Sequence, residues 1–303
     1  MHSTILTAFL EISRTAISMC TAGVVLFLVA LLAAKTDFAR ARGLDKIVAL
    51  SNLCFAIPLA VFGAEHLSAA RGIMLGVPAY MPWRLFWAYF VGCALIAVSL
   101  SIATKIQVRW SGLLFGIMMF LFVAMLHLPR ALANPRDRIA WTIVIREMSF
   151  AGGGWILAGN AMREQGLGQS KSKLIAVGRV LIAIAAIFYG VEHFLHPANV
   201  PGVPLEKLTP VWIPAREFID YLTGAILVIA GASILLGKKI RTAATYLGTW
   251  IVLLVLFVYG PILIASLADP STAVKVEGIN YFADTLLFAG AILALASATP
   301  RTD

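Results

Sequence analysis

Charge is the first thing this sequence has little of. Of its 303 residues only 13% are Asp, Glu, Lys or Arg, where soluble domains carry about 25%. Hydrophobic residues make up 60%, against about 45–50%. That balance excludes a water-soluble core wrapped in a charged surface. Cysteine is also scarce. Cys20, Cys54 and Cys93 all lie inside apolar runs, and none belongs to a Cys-x-x-Cys pair. Thiol–disulfide catalysis and a zinc ribbon therefore lack their basic spacing. No phosphate loop, nucleophile elbow, dinucleotide fingerprint or zinc-ligand spacing occurs, so no catalytic set can be named and no metal site is expected. The net charge of +9 does not point to nucleic acid, because the basic residues sit in short segments between apolar runs.

What is present is apolar sequence in membrane-length pieces. Runs occur near 15–34, 46–66, 85–104, 110–128, 140–160, 173–195, 216–236, 241–264 and 279–298. Each is close to the ~20 residues needed to cross a bilayer. The expectation is an all-α membrane protein of about nine transmembrane helices. Arg14 is the only basic residue before the first run, whereas Lys35, Arg40 and Arg42 follow it, so that run reads as a retained helix rather than a signal peptide.

One tetrapeptide occurs twice. Gly63-Ala64-Glu65-His66 and Gly190-Val191-Glu192-His193 each close an apolar run. Lys46 to His66 aligns with Lys173 to His193 without gaps. Beyond a connection of variable length, Pro82, Arg84, Tyr89, Gly92, Arg109, Gly116 and Pro129 match Pro214, Arg216, Tyr221, Gly224, Arg241, Gly248 and Pro261. The pattern predicts an N-terminal helix and its loop (1–45), a four-helix repeat (46–162), a linker (163–172), a second four-helix repeat (173–298) and a tail (299–303). Four spans return a chain to its starting side, so the two repeats must run in parallel.

Lys and Arg collect in alternate connections: 35–46, 105–109, 163–173, 238–241 and Arg301. The positive-inside rule places these, and the C-terminus, in the cytoplasm. The Glu-His pairs then face outward, among Tyr80, Trp83, Trp87, Tyr89, Trp141, Trp212 and Tyr221, which form an interfacial belt. To the same outer zone belong His127, Arg146, Glu147, Arg216, Asp220, Tyr259 (in the place of His127) and Asp284. Charge near hydrocarbon is costly and needs a reason. Two readings stand side by side: helix-end anchors paired with one another, or a pocket open to the outside built from Glu65, His66, His127, Glu147, Glu192, His193, Arg216, Asp220, Tyr259 and Asp284. Asp220 and Asp284 favour the pocket, lying more than a turn inside their spans; Arg216, one turn before Asp220, is the local candidate partner. Adjacent Glu and His point about 100° apart on a helix, so one lines the site while the other closes the helix end. Haem ligation by His66 and His193 is disfavoured, since both lie at the interface rather than deep in the bundle. Gly152, Gly153 and Gly154 read as a helix-packing face.

A helix ending Gly-x-Glu-His-Phe, a Pro-containing loop, an aromatic–Arg approach to a Tyr-x-x-Gly-Ala helix and an Arg-led third helix together resemble the DoxX-like membrane proteins. The residues that carry the resemblance are Gly190, Glu192, His193, Phe194, Pro204, Pro214, Arg216, Tyr221, Gly224, Ala225 and Arg241. The first unit departs at Leu67 and Cys93. The resemblance covers residues 46–298 as two fused modules. It implies a bacterial inner membrane protein that works beside membrane redox chemistry, with quinone or redox partner proteins as its ligands and no stand-alone catalysis. It carries over no catalytic residues. A transporter or channel for protons or a small polar solute, and an assembly subunit without chemistry, are the alternatives.

Overall fold

A computed structural model describes residues 2–166 and 170–300, with side chains from Arg14 to Gly166 and from Ser172 onward. Residues 167–169 of the expected linker and 301–303 of the tail lie outside the described residues. The described chain is mostly helical, with irregular connections and one isolated antiparallel bridge, Asn199 to Leu208. The long helices are α1 (His2–Arg40), α2 (Ser51–Ser68), α3 (Arg84–Thr104), α4 (Val108–Phe122), α5 (Arg138–Glu164), α6 (Ser170–Leu195), α7 (Arg216–Leu235), α8 (Ile240–Leu254) and α9 (Thr272–Ala298). Among the described residues eight helical stretches are long and apolar enough to cross a membrane. The helix that does not qualify is α5. It spans 27 residues but carries Arg138, Arg146, Glu147, Arg163 and Glu164, so its place in the bundle rests on partners rather than on hydropathy.

The most enclosed of the eight stretches are α9 and the one containing α2. Around them the packing follows one scheme twice: α2 lies on α3 and α6 on α7; α4 lies on α5 and α8 on α9; α5 packs on α6, and α9 on α2. Helices α5 and α9 meet in the middle, and α1 packs outside against α2.

Local backbone features also recur, 132 residues apart. Trp83 and Ala215 precede α3 and α7 with φ of 54° and 52°; Gln107 and Lys239 precede α4 and α8 with φ of 58° and 47°. Ser101 Oγ donates to Ile106 O, and Ser233 Oγ to Lys238 O. Helices α4 and α8 each widen into one π-helical turn, Val123–His127 and Val255–Tyr259. Pro129 and Pro261 explain both turns: each ring lacks an N–H and clashes with the carbonyl four residues back, so the ladder there must open.

Hydrocarbon is no drier than a Leu side chain, so helices in a membrane are held by close packing rather than by apolar burial. Glycine makes the approach possible at matching points. A Cβ on Gly63 would lie 3.0 Å from Gly92 O, and one on Gly190 only 2.8 Å from Gly224 O. The Gly152–Gly154 run touches α6 at Gly178, α9 at Ala291 and α4 at Gly112, as a packing face should. Gly190→Ala should therefore cost about 1–3 kcal/mol, because the obstacle is backbone and cannot rotate away. Gly72→Ala, which meets open space, should cost nothing. Thermal unfolding in detergent reads both; equal midpoints would refute the packing argument.

Candidate functional site

The polar residues gather where α2, α4, α6 and α8 end and α3, α5, α7 and α9 begin. At the centre, Arg146 on α5 donates from Nη1 to Asp284 Oδ2 on α9 (2.7 Å) and from Nη2 and Nε to Glu147 Oε1 (2.8 and 3.2 Å). Arg146 is thus shared between two carboxylates inside the bundle. An ion removed from water is tolerated there only with such partners. Beside it, Asn280 donates to Glu65 Oε1 at 3.1 Å. The hydroxyl of Tyr189, fully buried against Phe288, has no hydrogen-bond partner among the described residues.

The two Glu-His pairs divide their work as adjacent helical residues must. In the second pair Glu192 meets Arg138 Nη1 at 3.2 Å and His196 at 3.9 Å, while His193 turns into the protein at 0% exposure. His193 Nδ1 donates to Tyr189 O (2.5 Å) and Nε2 accepts from Gly202 N–H (2.8 Å). The amide can only donate, so the ring is neutral with its proton on Nδ1. His66 repeats half of this, with Nδ1 on Phe62 O at 2.8 Å.

The group that His193 meets belongs to a segment that folds back into the protein. Between α6 and α7 the chain turns at His196, pairs Val200 N with Lys207 O and Thr209 N with Ala198 O, and buries Val200–Leu205. Asn199 Nδ2 donates to Leu205 O, and Arg138 donates to Pro204 O and Leu205 O, so these inward carbonyls are satisfied. Tyr259 Oη donates to Pro201 O at 2.9 Å, and Lys207 N–H to Tyr281 Oη at 2.9 Å. Gly202 sits at φ +113°, beyond the reach of most side chains, and a Cβ there would come within 3.3 Å of Thr285 Cγ2.

The corresponding connection in the first half, residues 69–83, does not do this. It forms a turn of helix (Ala70–Ile73) and a 3-10 turn (Met74–Gly76) outside α2 and α3, with Leu75, Tyr80 and Trp83 exposed. Among the described residues no hydrogen bond joins it to His66 or His127. Both rings remain partly exposed.

Arg216 is not the partner of Asp220. Its Nη1 reaches back to Thr209 O at 3.5 Å, anchoring the folded segment. Asp220, 1% exposed, makes no hydrogen bond with either oxygen among the described residues; Oδ1 stands 3.6 Å from His193 Nε2, which carries no proton to share. Sequence reasoning left Arg146 and Arg138 out of the site, although Arg146 adjoins Glu147, and treated Pro201–Pro204 as a loop only. Intramembrane Arg was the available signal. No group of three His, Cys, Asp or Glu residues suited to a metal occurs among the described residues.

An apolar groove of about 330 Å³ is lined by Phe120 on α4, Val123, Ala124 and Leu128 beyond it, Val144, Ile145 and Met148 on α5, and Leu181 and Ile184 on α6. His127 and Glu147 belong to two of the same stretches of chain but are not among the residues that line it.

Removing Arg146 leaves two carboxylates facing each other without a cation, so Arg146→Met should cost about 3–5 kcal/mol, much of it recovered by Asp284→Asn in the same chain. Asp220→Asn, which loses no hydrogen bond, should leave the unfolding midpoint unchanged or raise it. A fall of several degrees for Asp220→Asn, or no recovery in the double variant, would contradict these assignments.

No family model, no curated protein and no solved structure matches this chain.

Proposed function

We propose that the chain is a DoxX-like protein of the bacterial inner membrane, built as two fused copies of a four-helix unit behind one extra helix. It serves membrane redox chemistry as an accessory component and binds the head group of a quinone in its polar cluster. The duplication is supported by the features that recur 132 residues apart and by the doubled packing scheme. The side assignment, with the C-terminus cytoplasmic, is supported by the Lys and Arg residues at the end opposite the histidines.

The observation that carries the quinone reading is the groove together with the cluster. An amphiphile with a flat polar head and a long apolar tail needs donors and acceptors at one end of an apolar channel. Here an apolar groove lies along the same stretches of chain that carry His127, Arg146 and Glu147. No redox centre is required of the chain, which fits an accessory role delivering or holding quinone for partner proteins. Solute transport has less support. At the opposite end Arg163 and Arg241 are engaged by the carbonyls of Ala298, Ala296 and Thr299 and, for Arg241, by Asp45, which leaves these cations committed to capping a helix end.

Mass spectrometry of an organic extract from the detergent-purified chain should find quinone near one equivalent. Ala124→Phe, which fills the groove, should remove it while the protein stays monodisperse. Equal quinone in the filled variant, or none in the wild type, would overturn the reading.

A further inference from the structure

The two halves treat the same position differently, and the difference identifies a ligand chemistry. In the second half a single peptide group, Pro201–Gly202, bridges two side chains. Its N–H donates to His193 Nε2 and its C=O accepts from Tyr259 Oη. Thr285 closes the third side.

Each of these three positions has a first-half counterpart. His193 corresponds to His66 in the gap-free stretch, and both donate Nδ1–H to the carbonyl four residues back. Tyr259 corresponds to His127, the last residue of the matching π-turn. Thr285 corresponds to Glu147 by the contacts of α5 and α9 with their neighbours: Gly116 meets Trp155 as Gly248 meets Leu293, and Gly152 faces α6 as Gly290 faces α2. The same register sets Arg146 opposite Asp284, which pair with each other at the centre. In the first half all three counterparts are polar. Among the described residues the connection 69–83 makes no hydrogen bond to any of the three; His66 is held by Phe62 O and Glu147 by Arg146, both within their own helices.

We infer that His66, His127 and Glu147 form an open copy of the pocket that the second half fills with its own Pro201–Gly202 peptide, and that this copy takes a planar group with a hydrogen-bond donor on one edge and an acceptor on the opposite edge. With Nδ1 engaged as a donor to Phe62 O, His66 presents Nε2 as an acceptor. The His127 ring supplies a donor where Tyr259 supplies its hydroxyl. Its side chain is shorter than tyrosine, so the space between the two is longer than a peptide group requires. A hydroquinone meets these demands: one hydroxyl donates to His66, and the oxygen across the ring accepts from His127. That identification rests on the quinone reading proposed above; the open pocket and its donor–acceptor demand do not.

Two probes separate the claims: decylubiquinol, and a capped peptide copying residues 200–205. Each is titrated against the full chain in detergent and against His66→Ala, His127→Ala, His193→Ala and Tyr259→Phe. Loss of one hydrogen bond to the ligand should weaken binding about tenfold in the His66 and His127 variants. The Tyr259 variant should bind as wild type does. It also guards against the fully buried His193→Ala change failing for reasons of folding, as does monodispersity of every variant. Decylubiquinol binding that depends on His66 and His127 supports both claims. Peptide binding with that dependence, but no quinol binding, supports the open pocket and overturns the quinone reading. Quinol binding indifferent to His66 and His127 overturns the open pocket and removes both histidines from the quinone reading, which then stands on the groove alone. Binding of neither probe overturns both.

Discussion

Arg146 held between Asp284 and Glu147 is the constraint on which the rest depends. An unpaired guanidinium inside a helix bundle costs too much to persist, and its partners must be brought to it rather than to water. One partner is its neighbour on α5. The other lies on α9, far along the chain, and reaching it fixes the register of the two central helices. Once α5 and α9 are set side by side, α4 and α6 have their places against α5, and α8 and α2 theirs against α9. The close glycine contacts then determine how near each neighbour comes.

Matching halves need not finish alike. The connection after α2 stays outside, whereas the connection after α6 turns inward and is bonded by His193, Tyr259, Tyr281 and Arg138. Inserting irregular backbone at this depth is costly unless its amides and carbonyls find partners in the protein. Four side chains from four helices supply them. Where they do so the pocket is filled by the chain itself. Where they do not, the same helix ends leave histidines with unused nitrogens, and that contrast separates a structural plug from a receptive site.

Much of the scaffold was legible in the sequence. Apolar run length foretold the all-helical character and long apolar helices, of which eight rather than nine qualify as spans among the described residues, while the repeated Gly-x-Glu-His with its trailing Pro, Arg and Gly positions is the reason to propose a duplication. α5 marks a limit: its apolar stretch predicts a span, yet its charges keep it from qualifying as one on hydropathy, and only Asp284 and Glu192 explain how it is accommodated. The partner of Asp220 was misjudged for a related reason. Helical spacing makes Arg216 a neighbour on the same face, but Arg216 heads the helix and its long side chain turns toward the carbonyl of Thr209. Spacing along one helix says which residues can meet; it does not say which competing acceptor wins. The inward fold of Pro201–Leu205 could not be read, since beside the nearby His193 and Asn199 it depends on Tyr259 and Arg138, 58 and 66 residues away in sequence.

The concentration of polar groups at one end is itself informative. A bundle that needed them only as anchors would distribute them toward both interfaces, as the cations at the opposite end are distributed, each closing on a helix carbonyl or an interfacial carboxylate. At the histidine end the arrangement goes further. Asp284 and Glu147 both accept from Arg146, whereas His66 Nε2 and the His127 ring make no hydrogen bond among the described residues. A cation already shared between two carboxylates, with ring nitrogens left unused, favours a neutral head group over an ion. An ion would compete with the internal pairing of Arg146, whereas a neutral head group can use the exposed ring nitrogens and leave that pairing intact.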